Sequence, residues 1–112
     1  MSLVRRISRI DGITAAYLIC GDMQVAIKMV VHAVAIMKKA YTTNSLFFNG
    51  KAPRSIIGGL FYLLGFRFYT HANQKKIAYV LGTSDASIRE SYRRWLKTFP
   101  TAFSDVAERL PN

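Results

Sequence analysis

The chain has 112 residues, half of them apolar and a fifth charged, which suits one globular domain with its own core and excludes a disordered segment. Sixteen Lys and Arg against six acids leave a net charge of +10, so the expected partner is polyanionic: DNA, RNA or an acidic membrane surface. A lone cysteine, Cys20, excludes an intrachain disulfide and suits a reducing, intracellular setting, and with His32 and His71 it offers no metal-ligand spacing.

Helical spacing recurs along the chain, and no hairpin signal interrupts it. Leu3, Ile7 and Ile10 share one face of a first helix, which resumes through Ile13 to Tyr17 after Gly12. Gly21-Asp22 punctuates, with Asp22 as N-cap of a second helix. There Met23, Ile27, Val30, Val31, Val34 and Met37 form the apolar stripe, and His32 is expected to be a satisfied buried histidine. Lys38 and Lys39 meet the negative end of that helix near Ala40. Thr42 to Lys51, rich in Asn, Gly and Thr, reads as a loop.

Pro53 opens a third helix, to about Phe66, that is apolar nearly all round and so is expected at the centre of the fold. Gly58 and Gly59 each cost that helix about 1 kcal/mol against alanine, so close helix packing is expected at them. The uncharged run Ser55 to Phe66 spans twelve residues, too few for a membrane helix of roughly 20. Arg5, Arg6 and Arg9 precede no apolar block with a cleavage site, so no signal peptide is expected. A short helix at about Asn73 to Leu81 follows, then Gly82, then a helix from about Ser84 to Lys97 that Thr98-Phe99-Pro100 ends. Ser104 to Leu110 adds one or two turns. The expectation is an all-α single domain over residues 1–112, with five main helices, a helix-turn-helix at about 73–97 and a tail at 98–112.

Ala78 is small where the second helix of a helix-turn-helix must cross the first, and Gly82, four residues on, can take the left-handed turn conformation. Ile77, Leu81 and Ile88 supply the apolar seam, while Ser84 or Asp85 caps the second helix and exposes its first turn toward a groove. Arg89, Arg93 and Lys97 recur at four-residue spacing with Arg94 beside them, a stripe able to neutralise phosphates and reach base edges. From Lys51 to Lys97 there are nine basic residues and two acids, so the positive charge is concentrated on this segment. The expected DNA-binding residues are Lys75, Lys76, Ala86, Ser87, Arg89, Arg93 and Lys97. Lys75 and Lys76 either grip phosphate or solvate the surface, and Lys51 and Arg54 flank a helix N-terminus that attracts anions. Tyr92 and Trp95 are read as core; Tyr62, Phe66, Phe68 and Tyr69 as core or a partner surface.

Gln74-Lys-Lys-Ile-Ala78, Gly82 and Ile88-Arg-Glu-Ser-Tyr-Arg93, preceded by Gly50-Lys-Ala-Pro53 and an apolar helix, resemble the second cyclin-like repeat of the transcription factor IIB family. The resemblance covers nearly the whole chain and is specific from Gly50 to Arg93. It implies a five-helix cyclin-like bundle whose helix-turn-helix enters the major groove of promoter DNA just upstream of the TATA box, beside the TATA-binding protein. The family's base-reading positions fall on Ala86 and Arg89; Arg89 suits guanine, whereas Ala86 replaces a larger apolar side chain. Gly58-Gly59 replaces alanines, and a short insertion lies around Gly12 to Ala15. The family's zinc ribbon, polymerase-entering linker and first repeat have no counterpart among these residues, so contact with the polymerase machinery would need separate or missing domains. The Ser91-Tyr92-Arg93 ending is closer to eukaryotic members, which implies the nucleus, with an archaeal cytoplasm as the alternative.

The residues offer no nucleophile, acid–base pair or phosphate-cradling loop at a recognisable motif, so the chain reads as non-enzymatic and without cofactor. The competing reading is a cyclin-box protein-interaction module that does not read DNA. A basic peripheral membrane protein is the third, opposed by a central helix with no stripe left to insert.

Overall fold

Capping side chains and glycines divide the chain into helices much as the sequence suggests. The computed structural model describes residues 10–70 and 72–111; the expected helical face from Leu3 to Ile7, the basic residues Arg5, Arg6 and Arg9, and His71 lie outside them. Among the described residues there are six α-helices and no strand: α1 (Ile10–Cys20), α2 (Met23–Thr43), α3 (Pro53–Arg67), α4 (Gln74–Leu81), α5 (Asp85–Thr98) and α6 (Ser104–Ala107). Short 3-10 turns occupy Ser45–Phe48 and Pro100–Phe103. α1 runs through Gly12 without a break.

Asp22 caps α2 by accepting from the backbone N–H groups of Gln24 (2.9 Å) and Val25 (3.1 Å). The helix continues past Ala40 to Thr43, so Lys38 and Lys39 do not end it. Thr42 and Thr43 donate from their hydroxyls back to the carbonyls of Lys38 and Lys39, four residues earlier in the same helix. Pro53 begins α3, where its missing N–H costs nothing. Every residue of α3 from Ile56 to Phe66 is buried, and α2, α4, α5 and α6 all pack against it. A helix whose buried stretch, Ile56 to Phe66, carries no charge is thus the hub of the molecule.

Two expectations about α2 are corrected. Its buried face is Ala26, Met29, Val30, Ala33, Met37 and Ala40, while Met23, Ile27 and Val31 of the expected stripe are exposed. Alanines at seven-residue intervals let α2 approach its neighbours closely, and a count of bulky apolar residues overlooks them. His32 is likewise exposed, with its ring edge-to-face against Phe68 at 5.0 Å.

The segment read as a loop also does more. Ser45–Phe48 coils into a 3-10 turn that buries Phe47 against Trp95, ring centroids 4.5 Å apart. Trp95 has no exposed surface, and its indole N–H donates to the Ile56 carbonyl of α3 at 3.0 Å. Tyr92, Tyr62 and Phe66 are buried as expected, whereas Phe68 is half-buried and Tyr69 is exposed. Burial raises the Tyr62 phenol above its ordinary value, against a lowering hydrogen bond with Gln74.

The C-terminal segment is tied to the end of α3. The Arg67 guanidinium binds Asp105 through two bonds of 2.9 Å and donates to the Ala102 carbonyl at 2.7 Å. Arg67 thereby holds the Asp105 carboxyl below its ordinary range. The stabilisation this gives is present above that range and fades as pH falls through the lowered value.

Candidate nucleic-acid interface

Asn73 opens α4 by accepting from the Lys76 backbone N–H at 2.8 Å, which leaves Lys75 and Lys76 exposed on its first turn. Ile77 and Ala78 face inward. The helix then ends at Gly82, whose φ of 72° and ψ of 41° are left-handed. The Thr83 N–H donates to the Ala78 carbonyl (2.9 Å) and the Gly82 N–H to the Tyr79 carbonyl (3.4 Å), the paired bonds of a Schellman turn. Ser84 begins α5: its hydroxyl accepts from the Ser87 N–H at 3.1 Å and lies 2.9 Å from the Ser87 hydroxyl. The turn is fastened to α3 as well, because Arg54 donates to the Gly82 carbonyl at 3.4 Å and the Ser55 and Thr83 hydroxyls lie 3.4 Å apart.

What fixes the tilt of α5 is the glycine pair of α3. A Cβ on Gly59 would lie 2.7 Å from both Ser91 Cβ and the Tyr92 backbone nitrogen. One on Gly58 would strike the Ile88 side chain and lie 3.2 Å from Leu81 Cδ1 and 3.7 Å from Ile77 Cγ2. The expected seam of Ile77, Leu81 and Ile88 therefore converges on Gly58. The buried Ser91 hydroxyl packs here with no hydrogen-bond partner. Both glycines avoid a steric conflict that alanine would create, which outweighs their helix-propensity cost.

With Ile88, Ser91, Tyr92 and Trp95 facing inward, the opposite side of α5 is committed to solvent. Ala86, Arg93 and Lys97 are exposed and Arg89 is half-buried; together with Glu90 and Arg94 they line one shallow groove. Among the described residues Arg89, Arg93 and Lys97 have neither a hydrogen bond nor an ion pair. Arg94 is different: it donates to the Phe47 carbonyl at 2.7 Å and lies 4.4 Å from the centre of the Phe47 ring, so it secures the 3-10 turn.

The expected residues thus divide. Ala86, Arg89, Arg93 and Lys97 share the groove. Ser87 is drawn into the helix cap and lines the neighbouring cleft with Lys51, Ser55 and Arg94, and Lys75 and Lys76 stand apart on α4. Lys51 pairs with Glu90 at 3.6 Å. Sequence reading missed Glu90 because its partner is 39 positions away, although an acid amid Arg89, Arg93 and Arg94 was a visible signal.

With Arg89, Arg93 and Lys97 unpaired among the described residues, the outer face of α5 can bind anions. Among the described residues no three His, Cys, Asp or Glu side chains cluster as metal ligands, and no helix is long and apolar enough to cross a membrane. No family model, curated protein or solved structure matches the chain.

Proposed function

We propose that this chain is the DNA-binding module of a transcription initiation factor, reading promoter DNA beside the TATA box through α4, the Gly82 turn and α5. The observation that carries the reading is the outer face of α5, where Arg89, Arg93 and Lys97 line one groove without a hydrogen-bond or ion-pair partner among the described residues. Cations left unpaired on a rigid helix are suited to phosphates and guanine edges. In this reading α1 to α5 form a cyclin-like bundle around α3, with α6 in the tail. The resemblance to the transcription factor IIB family supplies the TATA-binding protein as neighbour, the nucleus as location and a non-enzymatic role without cofactor. Contact with polymerase would fall to other domains.

The α5 groove accounts for a difference between the two residues aligned with the family's base-reading positions. Arg89 can make a bidentate contact to guanine, whereas Ala86 offers only a methyl group for a thymine methyl. Arg89→Ala is therefore expected to weaken binding by about 1–3 kcal/mol and to relax preference at one base pair. Gel shifts on promoter fragments, with and without TATA-binding protein, check this. Equal binding by the wild type and Arg89→Ala, with no sequence preference, would defeat the proposal.

One observation favours a second reading, a protein-interaction module. Tyr17, Leu18, Met23, Ile27 and Val31 are all exposed on α1 and α2, more apolar surface than α2 would leave bare if its bulky stripe faced the core. Binding of a protein ligand with little dependence on ionic strength, and no duplex binding, would support it.

A further inference from the structure

Glu90 is the one acid among the residues lining the cationic groove of α5, and it also lines the adjoining cleft beside Lys51. Its side chain is 68% exposed, and its ion partner is Lys51 at 3.6 Å, itself 40% exposed. An exposed pair of that kind contributes about 0–1 kcal/mol, so a competing donor can displace Lys51. A carboxylate can only accept hydrogen bonds. In the major groove the donors are the exocyclic amino groups of cytosine and adenine, while guanine and thymine present acceptors alone.

We propose that Glu90 is a specificity-determining residue of the DNA-reading face. Its carboxylate accepts from the amino group of cytosine or adenine beside the base read by Arg89, and Lys51 is released toward a flanking phosphate. The inference rests on the DNA-binding reading and deepens it. Glu90 is adjacent to Arg89 on the same groove, so the two side chains address neighbouring base edges with opposite polarity. The carboxylate repels phosphates and acceptor-only edges, and so holds down binding to duplexes of the wrong sequence.

Selection of bound sequences from a randomised duplex library, with the full chain and Glu90→Ala, tests this. The wild type should enrich cytosine or adenine at one position by about tenfold. Glu90→Ala should lose that enrichment, keep the guanine preference set by Arg89, and bind random-sequence duplex about threefold more tightly. Glu90→Gln should shift the preference toward adenine, which a carboxamide binds through both its oxygen and its amide, and weaken the preference for cytosine, whose amino group then meets only an uncharged acceptor. If the wild type binds duplex and Glu90→Ala retains its base preference at every position, or weakens all sequences equally, the inference is overturned while the DNA reading stands. If the wild type binds no duplex, the DNA reading fails and takes the inference with it.

Discussion

Trp95→Ala is expected to destabilise the protein by about 3–5 kcal/mol, the range for emptying a fully buried aromatic site. Trp95 has no exposed surface, and its ring meets Phe47, Phe99 and Phe103 at centroid distances of 4.5, 5.5 and 6.0 Å. It joins three separate pieces of chain: the Ser45–Phe48 turn, α5 and the Pro100–Phe103 turn. Its indole N–H also donates to the Ile56 carbonyl at 3.0 Å. Collapse around the deleted ring would have to move all of these together, so the cavity should persist. A typical domain has about 5–15 kcal/mol in total, so the variant should sit near the edge of folding. Urea denaturation should show a much lower midpoint with an unchanged slope. Trp95→Phe separates the two contributions: it keeps most of the ring, loses the hydrogen bond and should cost about 1 kcal/mol from that bond.

The second large effect is on binding. Arg93→Gln combined with Lys97→Gln should make the dependence of log affinity on log salt shallower by about 1.8, at roughly 0.9 for each phosphate no longer neutralised. Extrapolated to 0.1 M salt, the same coefficient corresponds to a weakening of up to about 60-fold. Both side chains are exposed and unpaired among the described residues, and glutamine is a good helix former, so folding should be unaffected. Base preference should also survive, because removing a cation that grips phosphate weakens all sequences alike. Arg89→Ala should behave oppositely, with a smaller change in salt dependence and a relaxed preference. Fluorescence anisotropy with one duplex over a salt series measures the slopes. An unchanged slope in the double variant would remove the outer face of α5 from the interface.

The helix pair α4 and α5 and the Gly82 turn between them were legible because their signals are local. Ala78, Gly82 and Ser84 lie close together in the sequence, and Gly82 and Ser84 act through the backbone of their own turn. The central place of α3 followed from an uncharged run too short for a membrane. Gly58-Gly59 announced close packing, though not that α5 was the neighbour. Other features depended on residues far apart in the chain. Phe47 lies in a stretch of turn-forming composition, and only the distant Trp95 and Arg94 give it a buried site. The buried face of α2 was misjudged because Met23, Ile27 and Val31 outweigh alanine in any hydrophobic count, whereas close packing selects the alanines. Glu90 and the cap role of Ser87 went unread for different reasons: the first pairs with Lys51 across the fold, and the second meets Ser84 in the cap of α5.

Titrating isotope-labelled protein with a promoter duplex at low salt, and following backbone amide shifts, examines the proposed contact surface directly. The expected perturbations cluster at Lys75, Lys76 and the Gly82 turn and along α5 from Ala86 to Lys97, and they reverse as salt is added. Shifts confined to the exposed stripe of Met23, Ile27 and Val31, or none at all, would contradict the placement of α5 against DNA.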